Sequence, residues 1–225
     1  MIYNEEDRKM NKLIKLFIRD ESGAIGIGTM IIFIAMVLVA GIAASVLIQT
    51  SSRLESQAMT TGEETTAEVA TGLDVFDVLG HVDSSIDKLV ITIRPRSGSK
   101  DIDLSTAVLE LSDGTNKYVL TYDTTPIFAS SANIGGIFST DVFDGLTAGE
   151  FGLIELKDAD SSCSGSTPVI NRGDKVAISV NATATFGGIS ERTEVSGRIV
   201  PEEGAAGIIA FRTPASYTDN VYDLQ

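Results

Sequence analysis

Cysteine, histidine and tryptophan are almost missing from this 225-residue chain: it has one Cys, one His and no Trp. A single cysteine, Cys163, rules out an intrachain disulfide. A single histidine, His81, all but removes metal sites and acid–base pairs built on imidazole. The chain has no GxSxG, no phosphate-cradling glycine-rich loop and no CxxC, so nothing in it reads as an enzyme or a cofactor binder. Basic charge is scarce as well. Seventeen Lys and Arg stand against 31 Asp and Glu, for a formal net charge of −14. Nucleic-acid binding needs clustered cations that displace counterions, so that class of partner is excluded. The acidic balance suits a surface in salty water, or copies crowded together and held in solution by charge.

Charge of either sign is absent between Glu21 and Arg53, and within that gap lies Ala24 to Ile48, AIGIGTMIIFIAMVLVAGIAASVLI. As a helix these 25 residues would extend roughly 38 Å at about 1.5 Å per residue, more than a bilayer core of about 30 Å. Residues 1–23 precede it and carry Arg8, Lys9, Lys12, Lys15 and Arg19 between acidic flanks. A basic segment directly before an apolar helix stays on the cytoplasmic side while the helix inserts. An ordinary secretory signal has a shorter apolar stretch and a small-residue cut site after it. Here the small pair Ser22-Gly23 comes before the stretch. A cut at that point leaves the apolar helix as the N-terminus of the mature chain. By hydropathy alone the segment is an uncleaved signal anchor. Its many small residues, among them Gly26, Gly28, Ala35, Ala40, Gly41, Ala43 and Ala44, argue instead for helix packed on helix.

Residues 49–72 lack proline, contain only Gly62 before Gly72, and are rich in helix formers, so one helix is predicted over 24–72, apolar first and polar second. Glu63, Glu64 and Glu68 lie on the polar half. Residues 73–86 read as a helix end and connector, with Gly80 as the stop. From there the period changes to two. Strands are predicted over 88–94, 102–112, 117–123, 151–158, 174–187, 191–200 and 206–212, with Asp113-Gly114 as a hairpin turn. In 174–187, Val176, Ile178 and Val180 share one face, while Ala177, Ser179 and Asn181 share the other, polar one. Residues 124–150 are loops with short strands. The fold class is therefore α+β: a long N-terminal hydrophobic helix, then an antiparallel immunoglobulin-like β-sandwich over 87–225.

The combination resembles the archaeal flagellins, the type IV pilin-like subunits of the archaellum. The resemblance is carried by GAIGIGTMIIFIAMVLVAGIAASVLIQTS, by VLGHVDSSIDKLVITIRPRSGSKDIDLS, by RGDKVAISV and by the tail TPASYTDNVYDLQ, with a variable region at about 124–168. It implies that a prepilin-type peptidase removes residues 1–23 by cutting between Gly23 and Ala24. The chain departs from the family pattern there, because Asp20, Glu21 and Ser22 precede Gly23 and the nearest basic residue is Arg19. The resemblance further implies transient membrane insertion through 24–48, and then a homopolymer, shared with other flagellins, on the cell surface. A separate archaellum motor and platform would turn it for swimming. An adhesion pilin and a membrane-anchored surface β domain are the alternatives.

Few individual residues stand out. Asn181-Ala182-Thr183 is an Asn-x-Thr sequon. The frequent glycosylation of archaeal flagellins makes Asn181 the expected glycan site. Asp101/Asp103 and Asp158/Asp160 offer oxygens of the kind calcium takes. Solvated carboxylates are the commoner outcome for such pairs, and no metal or cofactor is assigned. Cys163, in a Ser/Gly-rich loop, is read as a thiol without a role, and His81 as a connector residue.

Overall fold

Helix α1 runs unbroken from Glu6 to Ala70 in the computed structural model, which describes residues 6–122, 128–130, 136–138 and 142–225, without the side chains of 16–22. Glu6 and Asp7 open it, where acidic side chains suit the positive end of the helix dipole. The threonines of its polar half do not interrupt it. Thr50, Thr60 and Thr66 donate their hydroxyls at 2.7–3.0 Å to carbonyls one turn back, at Val46, Ser56 and Gly62. The chain divides into two units, residues 1–61 and 62–225.

The second unit contains strands β1 (Leu73–Val82), β2 (Ile86–Pro95), β3 (Ile102–Asp103), β4 (Val108–Ser112), β5 (Lys117–Tyr122), β6 (Phe128–Ser130), β7 (Glu150–Lys157), β8 (Val169–Ile170) and β9 (Lys175–Asn181). These are followed by the short helix α2 (Ala182–Phe186), β10 (Glu194–Val200), β11 (Gly207–Arg212) and β12 (Val221–Asp223). Ten strands form one sheet in the order β11-β10-β4-β5-β7-β9-β2-β1-β12, with β6 beside β7, while β3 and β8 pair separately. The pairings are antiparallel apart from β5–β7 and β6–β7. The expected two-layer β domain is present, built from one sheet that curls over on itself. The curl brings the first strand to the far edge: Leu73 N–H donates to Ala205 O at 3.0 Å, and Ala205 N–H donates to Thr71 O at 2.9 Å.

Leu89, Ile91, Ile93, Leu109, Leu111, Leu120, Phe151, Leu153, Ile178 and Val195 come from both layers and fill the space between them, all fully buried. A smaller cluster lies on the opposite face, where Val142, Phe143 and Leu146 cover Val90, Ile154 and Ala177.

Four expectations are corrected. Residues 73–86 are not a connector: β1 occupies Leu73–Val82, and Gly80 lies inside that strand. Phe76 is a β-bulge, shifting the register between Val75 and Asp77. The inserted residue shifts the alternation by one, so the inward positions are Leu73 and Val75 before it and Val78, Gly80 and Val82 after it. The strand predicted over 174–187 ends at Asn181. There the Asn181 side chain caps α2 by accepting Ala184 N–H at 3.0 Å, and Gly187 closes the helix at φ 77°. The face carrying Ala177 and Ser179 is not a solvated polar face, because both residues are fully buried beneath the second cluster. The stretch 102–112 also divides, since Asp103 accepts Ser105 N–H at 2.8 Å and turns the chain between β3 and β4. The Asp113-Gly114 hairpin is present, with Asp113 accepting Thr115 and Asn116 N–H at 2.8 and 2.6 Å and Gly114 at φ 83°.

Candidate functional site: the leader junction and the exposed apolar helix

Gly23 and Ala24 lie within α1, both exposed, and a Cβ added at Gly23 would meet nothing within 4 Å. Arg8, Lys12 and Lys15 recur at helical spacing on one exposed side of the segment before the junction. Past the junction, fifteen large apolar side chains from Ile25 to Ile48 are each more than half exposed. They occupy every side of the helix: Ile31, Ile32, Phe33 and Ile34 are consecutive, as are Met36, Val37, Leu38 and Val39. A helix apolar all round is stable only when surrounded by lipid or by other helices. Burying one such side chain stabilises by about 1.5–3 kcal/mol. Fifteen of them therefore represent on the order of 20–40 kcal/mol of gross association energy per subunit, well above the roughly 4–15 kcal/mol that immobilising a partner costs. The polar half of α1 presents Glu55, Glu63, Glu64 and Glu68, all exposed.

Asn181 sits at the end of β9, partly buried. Its Nδ2 donates to Phe143 O at 3.2 Å while its Oδ1 caps α2. His81 is a strand residue paired with Asp87 at 2.7 Å and lies against Phe138. Asp101 and Asp103 do not join any larger carboxylate group among the described residues.

Asp158 and Asp160 are brought together with Asp174, whose part the sequence did not reveal because it lies fourteen positions beyond Asp160. The three carboxylates lie within 4.8 Å of one another. Backbone donors bind them: Ser161 and Cys163 N–H reach Asp158 at 2.8 and 2.9 Å, and Asn171 N–H reaches the buried Asp174 at 2.9 Å. Asn171 Nδ2, at 2.6 Å, and Ser162 hold the Asp160 carboxyl below the usual range. This all-oxygen set suits a hard cation rather than zinc. Neighbouring Cys163 does not add a thiolate, since burial, then Asp158, Glu155 and Asp174, push its thiol up to about 12.

An apolar N-terminal helix left open for packing and followed by a curled antiparallel sheet defines a class of surface-filament subunits. The archaeal-type flagellin model matches residues 23–211. Flagellin B2 of Methanocaldococcus jannaschii is 46% identical over 213 residues, covering 93% of this chain and 98% of its own. Flagellin B1 of Methanococcus voltae is 44% identical over 218 residues, covering 94% and 99%. The crystal structure of archaeal flagellin FlaB1 from Methanocaldococcus jannaschii superposes with a TM-score of 0.62 at 37% identity, over 69% of this chain and 98% of that one. The subunit fold in the archaeal flagellum of Methanospirillum hungatei is similar at a TM-score of 0.60 and 14% identity, over 87% of this chain and 98% of that one. The chain belongs to the archaeal-type flagellin family. It is a structural subunit of the archaeal flagellum, a filament of the cell surface.

Proposed function

We propose that the chain is made as a membrane-inserted precursor, cut between Gly23 and Ala24 by a prepilin-type peptidase, and polymerised through residues 24–48. The carrying observation is the set of fifteen exposed apolar side chains between Ile25 and Ile48. In the precursor, lipid covers them; in the filament, the same segments of neighbouring subunits do. Small residues such as Gly28, Gly41 and Ala44 let those helices approach closely. A heterologous contact that does not close into a ring generates a helical polymer. The start of the family match at residue 23 supports a leader of residues 1–23. Other flagellins share the filament, and a separate motor and platform turn it.

Mass spectrometry of filaments sheared from cells tests this reading. The N-terminal peptide begins at Ala24. An intact residue 1–23 segment, found on protein confined to membranes, would return the chain to an anchored β domain. Loss of swimming with attachment retained in a deletion strain separates a motility filament from an adhesion pilin.

The proposal extends to an N-linked glycan on Asn181. Glycosylation replaces one Nδ2 hydrogen and leaves the other for the bond to Phe143 O. An unmodified Asn181 peptide from cell-derived filaments would remove this part and leave assembly untouched.

A further inference from the structure

A cationic patch stands out on the β domain of this acidic chain. The bulge in β1 throws Phe76 outward, 54% exposed, with the Arg94 guanidinium 5.3 Å from its ring and Lys175 Nζ 4.6 Å from it. Bulges re-aim side chains, and an exposed ring between two cations carries a contact area as well as charge. Lys157 is paired in register with Lys175 across β7 and β9. Like charges directly opposite on neighbouring strands are destabilising. Arg94 reaches Asp74 at 2.8 Å, but neither lysine has a carboxylate at ion-pair distance among the described residues.

The converse arrangement occurs at the end of α1. Glu64 and Glu68 are four residues apart and exposed, a like-charge pair on one helix face, with Glu63 beside them. The last turn of α1 carries no basic residue, so Glu68 also sits at the negative end of the helix dipole uncompensated. None of the three has an ion-pair partner among the described residues. One chain thus holds two like-charge pairs of opposite sign, each unfavourable in the lone subunit and each relieved by the other.

We infer that the Phe76–Arg94–Lys157–Lys175 patch of one copy receives the Glu63–Glu68 end of α1 of a second copy. The occupant is chosen by charge complementarity and by a filament's need for a contact between unlike surfaces. The inference rests on the filament reading above.

The experiment uses unmodified filaments assembled from a mixture of normal and heavy-isotope subunits. A carbodiimide joins carboxylates to amines already in contact, adding no atoms. The expected product is an amide between Lys175 or Lys157 and Glu63, Glu64 or Glu68, with light–heavy pairs showing that two copies are joined. Lys175→Glu removes the Lys175 link. Filaments in which other zero-length links form, but these lysines stay free, join other carboxylates or join only within one copy, overturn the inference while the filament reading stands. If wild-type protein forms no filaments, the filament reading fails first and this inference with it.

Discussion

The apolar half of α1 and the core of the β domain are built from the same residue types and end in opposite states. Ile31, Val37 and Leu38 are each more than half exposed, whereas Ile91, Val176 and Leu153 are fully buried. The β domain completes its hydrophobic burial inside one chain, through two faces of one sheet. The helix has no inside: it satisfies every backbone group by itself and leaves its side chains to others. Burial within one chain therefore resides in the second unit, while the large apolar surface left for other molecules to cover lies in the first.

Putting a charge into the helix should separate the two most sharply. Val37→Asp or Ile42→Asp is expected to abolish filaments, because a buried unpaired carboxylate costs several kcal/mol in every subunit. The detergent-solubilised full chain should keep the thermal transition of its β domain by circular dichroism. A lowered transition would mean that the two regions are not separable. The reverse experiment is Leu89→Ala or Leu153→Ala, both at fully buried positions. A loss of about 2–5 kcal/mol in denaturant unfolding is expected for such truncations, with membrane insertion unaffected.

A smaller effect is expected on the sheet surface. Glu110 accepts hydrogen bonds from Arg198 and from Lys117, which lower its carboxyl to about 2 from an ordinary value of 4.5. A depressed carboxylate stabilises above its unfolded pKa, and that contribution is lost as pH falls from 4.5 towards 2. Arg198→Met should shift the acid limb of unfolding to higher pH. An unchanged limb would show that the pairing adds nothing in solution. The smallest change expected is at Ser179, whose hydroxyl is fully buried without a partner among the described residues. Ser179→Ala should leave stability unchanged or slightly raised, and a loss above about 1 kcal/mol in denaturant unfolding would reveal a hidden partner.

Much of the fold was legible because its signals are local and long. A run of 25 uncharged residues needs no tertiary information to be read. Asp113-Gly114 announces its turn because only a small set of residues adopts that backbone. β1 escaped because one inserted residue, Phe76, breaks its period of two into two short runs, the second of which carries Gly80 at an inward position. α2 escaped because Ala and Thr alternate through 182–185, which fits a strand equally well. Its cues were Asn181 before it and Gly187 after it. The carboxylate group is completed by Asp174, which the sheet brings beside a loop from elsewhere in the chain. No spacing rule links those positions.

The sequence by itself determined the long helix, its charge-free apolar half and the change to β structure. Each follows from residue type over a continuous stretch. Only the tertiary structure decided that the sheet is a single curled one, that Ser179 is buried beneath a second cluster, and that Phe76 stands outward between Arg94 and Lys175. Those outcomes depend on which strands meet and on what covers each face, and packing between distant segments sets both.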